Sequence, residues 1–178
     1  FWIYTNYGLN RFDKWRKTVD HFNDFKGKYF ICKSTDNDIF IIKNDNRISY
    51  YDKKEKSFKN IDVKGIEFDR LLNFTIDSNN VLWLFDCYGH IKNYSVNKGK
   101  NNNIELKLTE LPAHSSPLLY CFIEENTAYL IDENHTLYEY NLIENQRYYV
   151  HNLRNEIMRN GKISSIVKYG NDFFIGFK

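Results

Sequence analysis

The side chains of this 178-residue chain with chemistry to offer are five histidines, three cysteines and 23 carboxylates. His21, His90, His114, His135 and His151 lie without the i,i+4 or shorter spacing that places two imidazoles on one metal. His90 and His135 read as equivalent surface turns. Cys32, Cys87 and Cys121 are odd in number and lack CxxC spacing, so they read as small core hydrophobes. No Gly-rich phosphate loop, GxSxG elbow or HExxH motif occurs. Spacing alone picks out no carboxylate pair for glycoside hydrolysis. The expectation is no catalytic residue, no metal and no cofactor. Binding is better served. In the run LPAHSSP, residues 111–117, two prolines pre-set the backbone and lower the ordering cost of binding. His114, Ser115 and Ser116 there can hydrogen-bond sugar hydroxyls. The bland alternative is a rigid connector. Trp15 could stack on a sugar ring or simply cover an outer edge.

The elements that carry these residues belong to one folded unit. An aromatic share of 17% with two prolines is not the composition of a disordered segment. The net charge is +2, with Lys and Arg dispersed among Asp and Glu, so nucleic acid is not an expected partner. No window approaches the roughly 18 apolar residues of a membrane span, and no secretory signal is recognisable at the start. The chain begins abruptly on an apolar run, as a segment of a longer protein would.

That opening run recurs. Trp2, Phe40, Trp83, Tyr129 and Phe174 each sit second in an apolar run, at intervals of 38, 43, 46 and 45 residues. Runs apolar on both faces are strands covered on both sides. A second strand follows at 9–12, 48–51, 91–94 and 137–140. The distance from the first aromatic to its last aromatic is 10, 11, 11 and 11 residues. Its two apolar ends, three apart, give each face one anchor. A strand precedes each later run, at 29–33, 72–76, 118–123 and 163–168. Cys32 and Cys121 both fall eight residues before the aromatic, which makes them equivalent sites. A more polar strand trails at 18–22, 58–61, 104–108 and 147–150, as suits an outer edge.

Four antiparallel strands per 40–50 residues predict an all-β chain, a β-propeller. The predicted blades are 1–22 (partial), 29–61, 72–108, 118–150 and 163–178 (partial). The last piece duplicates the inner strand of the first instead of completing it. The reading is therefore a partial arc of about four blades from a larger, about seven-bladed ring. Ligands on such a ring favour the face holding the inter-blade loops and the turns between second and third strands.

The opening stretch FWIYTNYGLNRFD resembles the repeat of two-component regulator propellers, the periplasmic sensor region of bacterial hybrid histidine kinases. Trp2, Ile3, Thr5, Gly8, Leu9, Phe12 and Asp13 match, with Tyr4 in place of the usual Gly. Trp83, Gly89, Ile91 and Tyr94 keep part of the pattern; Phe40, Ile48, Tyr51 and Asp52 keep less. Phe174, Ile175 and Gly176 match the Trp-Ile-Gly core. The resemblance implies a periplasmic oligosaccharide sensor controlling glycan-use genes, in a membrane-anchored, dimeric parent with kinase modules elsewhere. Two alternatives stay open: a non-signalling binding propeller, or part of a propeller lyase or hydrolase with its catalytic residues outside this chain.

Overall fold

The computed structural model describes residues 1–5, 8–25, 29–34, 37–43, 45–61, 63, 67–98, 104–110 and 116–178. At 63% strand against 7% helix the chain is all-β. The first sheet contains β1 (Trp2–Thr5), β2 (Gly8–Asp13) and β3 (Thr18–Phe22). The second contains β4 (Tyr29–Lys33), β5 (Ile39–Lys43), β6 (Ile48–Asp52) and β7 (Ser57–Ile61). The third runs through β8 (Leu71–Ile76), β9 (Val81–Asp86), β10 (Ile91–Lys98) and β11 (Ile104–Glu110). The fourth runs through β12 (Leu118–Glu124), β13 (Thr127–Asp132), β14 (Thr136–Asn141) and β15 (Gln146–Asn152). The fifth is the pair β16 (Ile163–Tyr169) and β17 (Asp172–Phe177). Each sheet is antiparallel in chain order, and the whole is consistent with a β-propeller-like arc. Two short helices interrupt the pattern, a 3-10 turn at Phe68–Arg70 and α1 at Arg154–Asn160. The strand periodicity gave no sign of either.

Side-chain alternation explains how the sheets stack. Successive residues of a strand point to opposite faces, so a strand covered on both sides serves two junctions at once. In β5, Ile39 and Ile41 pack back toward the first sheet while Phe40 and Ile42 pack forward toward the third. In β9, Leu82 and Leu84 face back and Trp83 and Phe85 face forward. In β13, Ala128 and Leu130 face back, and Tyr129 and Ile131 face forward. The third strand works the other way round. Trp83 is opposite Asn93, so Tyr94 falls on the other face. The aromatic of one sheet therefore meets the third-strand aromatic of the next. Trp2 and Tyr51 lie 4.9 Å apart, Trp83 and Tyr140 lie 6.0 Å apart, and Phe40 and Tyr94 share one cluster.

Burial on both sides holds for the interior sheets but fails at the ends. Phe40, Trp83 and Tyr129 are buried, whereas Phe174 is 61% exposed. Phe1 and Ile3 on the other end face are 74% and 51% exposed. The cause is the absence of a neighbouring sheet beyond either end within this chain.

The cysteines need a correction. Cys32 pairs with Phe40, but Cys121 pairs with Leu130, one position past the repeated aromatic. The two-residue turn between β12 and β13 is shorter than its counterpart in the second sheet, and a one-residue shift reverses every face. Cys32 therefore packs forward and Cys121 back. Burial pushes both thiols well above their ordinary range, which suits apolar filling.

Turn chemistry is periodic too. The sixth residue after the repeated aromatic has positive φ in all four hairpins: Gly8 at 135°, Asn46 at 62°, Gly89 at 85° and His135 at 63°. Gly and Asn are the residues that tolerate this conformation most readily. At Gly8 space matters as well, because a Cβ would come within 2.7 Å of the Phe22 carbonyl. Acidic residues and Asn close the strand ends. Asp13, Asp52 and Asn141 each accept two backbone N–H bonds in the turn after the third strand. Buried Asp77 accepts the amides of Asn79 and Val81 and, at 2.8 Å, the indole N–H of Trp83.

Two predictions follow from this packing. Trp83→Ala empties a buried site and strips Asp77 of a donor, so it should cost about 3–5 kcal/mol in equilibrium unfolding. Phe174→Ala, at the same repeat position, should cost less than about 1 kcal/mol in the same chain. Equal costs would refute the stacking described.

A further prediction concerns pH. Asp52 bonds Lys59 at 2.7 Å and accepts the amides of Glu55 and Lys54, which together lower its pKa from 3.8 to about 2. The folded state prefers the carboxylate, so this contribution is complete above the unfolded value of 3.8 and disappears as pH falls toward 2. Unfolding midpoints measured across that interval should decline less steeply in Asp52→Asn.

Candidate ligand-binding face

The turns between second and third strands share one face with the connections between sheets, and main-chain bonds lace them together. Asn46 Oδ1 accepts the Phe68 amide at 2.6 Å. The Cys87 amide donates to the Arg70 carbonyl at 2.8 Å, and the Cys87 carbonyl accepts from Leu118 at 3.0 Å. Glu133 donates to the Pro117 carbonyl at 2.9 Å, and Leu153 to the His135 carbonyl at 2.7 Å. The junctions from the second sheet to the fifth thus each carry a polar tie above their apolar core.

A cavity of about 190 Å³ opens here, lined by Glu67, Arg70, Leu71, Leu84, Asp86, His90 and Lys92. The Arg70 guanidinium lies 4.8 Å from the ring centre of Tyr88, and its Nη1 is 2.6 Å from Glu67. Stacking and the ion pair together limit the positions open to the long Arg side chain. Asp86 accepts the amides of Tyr88 and His90, each at 2.9 Å, and its second oxygen is 2.9 Å from His90 Nδ1. This carboxylate is committed to shaping the turn. The cavity is smaller than the roughly 300–1,000 Å³ of drug-sized sites. It suits a small group rich in hydrogen-bonding atoms, with Leu71 and Leu84 as its apolar part.

His114 and Ser115 lie outside the described residues. Ser116 is half-buried at the start of the fourth sheet, beside Pro117, whose carbonyl is tied to Glu133. It is on the same face as the cavity but not among its lining residues. His90 and His135 share a turn type but not a position. His135 takes the left-handed place that Gly89 fills in the third sheet, and His90 follows it. Trp15 is 85% exposed, in the turn between β2 and β3, with Lys14 Nζ 4.8 Å from its ring centre. Among the described residues no group of three or more His, Cys, Asp or Glu is placed to hold a metal ion.

Sequence reasoning missed Arg70, Tyr88 and Asp86. Asp86 had a signal, because Asp132 stands at the same distance after its aromatic and caps its turn likewise. Arg70 had none, since the 3-10 turn that presents it lies between two strands. Larger openings of about 540 and 390 Å³ lie between the first and second sheets. Exposed cations such as Lys53, Lys56 and Arg16 line them, as befits solvated grooves.

No protein-family model matches this chain, and no curated protein matches it. Among solved structures it is similar to the computationally designed Ika4 protein, with 14% identity and a TM-score of 0.50. That likeness covers 83% of this chain and 83% of the designed one, and it bears on the fold alone.

Asp86→Ala should destabilise the chain by about 1–3 kcal/mol, because two turn amides lose their acceptor. Amide exchange at Tyr88 and His90 should accelerate more than at Asn134 and Thr136 in the equivalent turn. Unchanged exchange at all four would remove Asp86 from its role in shaping the cavity.

Proposed function

We propose that this chain is part of the extracytoplasmic ligand-sensing propeller of a hybrid two-component sensor histidine kinase, and that it detects an oligosaccharide. In this reading the arc belongs to a larger ring of about seven blades. The parent is a membrane-anchored, dimeric protein of the bacterial inner membrane, with its propeller in the periplasm and its kinase chemistry in separate modules. The chain itself binds and does not catalyse. Among the described residues no helix is long and apolar enough to cross a membrane.

The observation that carries the binding reading is the laced face. A turn, an inter-sheet connection and the start of β10 bring Arg70, Asp86, His90 and Lys92 around one small cavity, with the Tyr88 ring against Arg70. Donors and acceptors of both charge signs beside an aromatic ring suit a hydroxyl-rich ligand better than an apolar one. Ser116 and Pro117, which end the sequence run that also holds His114 and Ser115, lie on the same face one junction further on. Signalling rests on the resemblance of residues 1–13 to regulator-propeller repeats. The mechanism is differential binding: a ligand that prefers one arrangement of the receptor shifts its equilibrium toward that arrangement.

Titration calorimetry of the chain against a panel of neutral and acidic oligosaccharides tests the proposal. One class should bind, and Arg70→Ala combined with His90→Ala should weaken it at least about tenfold, or 1.4 kcal/mol, without shifting the unfolding midpoint. Turnover of the bound glycan would instead support an enzyme, and binding of none of them would sink the sensor reading.

A further inference from the structure

Charge is balanced around the cavity beside the 3-10 turn. Among the described residues its lining holds two carboxylates, Glu67 and Asp86, two cations, Arg70 and Lys92, and one imidazole, His90. A 3-10 turn repeats every three residues, so side chains three apart lie one above the other. Glu67 precedes the turn and Arg70 ends it, and the Arg70 amide donates to the Glu67 carbonyl at 3.1 Å. The carboxylate therefore stands 2.6 Å from the guanidinium, which the Tyr88 ring holds from the other side. Lys92 also has a partner within the chain. Neither cation awaits an anion.

Asp86 is fixed as well. One of its oxygens accepts two turn amides, and the other lies 2.9 Å from His90 Nδ1. An ionised carboxylate only accepts, so the imidazole proton sits on Nδ1 and the neutral ring keeps Nε2 as an acceptor. The lining thus combines donors, on Arg70 and Lys92, with acceptors, on Glu67 and His90. A hydroxyl both donates and accepts. A neutral sugar ring with adjacent hydroxyls can meet both kinds, with its C–H faces against Leu71 and Leu84. A uronate carboxylate only accepts, so it would leave the two acceptors unpaired and meet two negative charges already in place. At about 190 Å³ the space holds one residue of a chain, not several.

Resting on the oligosaccharide reading above, we propose that Glu67 sets the charge selectivity of this cavity: by neutralising Arg70 it selects a neutral sugar residue over the corresponding uronic acid. The selection works by disfavouring the competitor, not by adding a contact to the preferred ligand. Because the Glu67–Arg70 pair is about half-exposed, salt limits its reach. At physiological ionic strength that reach is roughly 8 Å, enough for a ligand in the cavity but not for one bound elsewhere.

Titration calorimetry at physiological salt tests this with matched tetrasaccharide pairs of glucose, galactose and mannose, each neutral and each oxidised at C6 to its uronic acid. The chain should bind the neutral member of at least one pair about tenfold or more tightly than its oxidised counterpart. In Glu67→Gln, which keeps the size of the side chain, that ratio should fall at least about tenfold. Glu125→Gln removes the same charge from an exposed turn on the opposite face and should leave the ratio within about threefold. Circular dichroism and the unfolding midpoint confirm that both variants are folded. Equal binding of neutral and oxidised members by the parent overturns the selectivity and leaves the oligosaccharide reading standing. A ratio untouched by Glu67→Gln, or shifted as much by Glu125→Gln, overturns the role of Glu67 alone. Binding of no member by the parent or by either variant sinks the oligosaccharide reading, and the selectivity falls with it.

Discussion

The structure depends on strands buried on both faces. Once β5, β9 and β13 are covered on two sides, neighbouring residues belong to different junctions. Phe40 works for one interface and Ile41 for another, so every position of the run faces an apolar junction. This constraint accounts for the continuous apolar runs. It also places the aromatic of each third strand on the side opposite its partner strand's aromatic. Both features build the same contact from sheet to sheet.

Polar groups are arranged around that core so that few buried donors or acceptors are left alone. Asp77 links a turn to the core through the Trp83 indole. Ser49 and Asn60 satisfy each other at a junction, and Lys168 reaches Glu139 across the fourth and fifth sheets at 2.7 Å. Exposed ion pairs add little, whereas a buried carboxylate must keep its donors. The turn carboxylates do two jobs. They accept amides that the sheet cannot satisfy, and they fix where the next strand begins.

The candidate face inherits its rigidity from this scheme. The backbone ties from Arg70 through Cys87 to Leu118 join the third sheet to the fourth. A ligand that touched Arg70 and Ser116 together would press on two sheets at one junction. Such a junction is a credible place for binding energy to alter how sheets sit against one another, because packed interfaces resist continuous deformation.

Much of this was legible in the sequence. Registered aromatics, a hairpin of nearly constant size and polar turns determine which segments are strands and which residues face a core, because side-chain direction alternates with period two. Gly8, Asn46 and Gly89 could be recognised as turn residues from their type alone. Tertiary structure decided the rest. Cys121 lies on the opposite face from Cys32 because one turn is shorter, and spacing counted along the chain cannot see pairing across a turn. Phe174 and Ile3 look like core residues in the repeat but are exposed, because burial belongs to the neighbour a residue meets, not to its own strand. Arg70, Tyr88 and Asp86 come together only when a connection from one sheet folds over the turn of the next. A local pattern specifies a strand and its faces; a site made of loops from different segments exists only after the sheets have stacked.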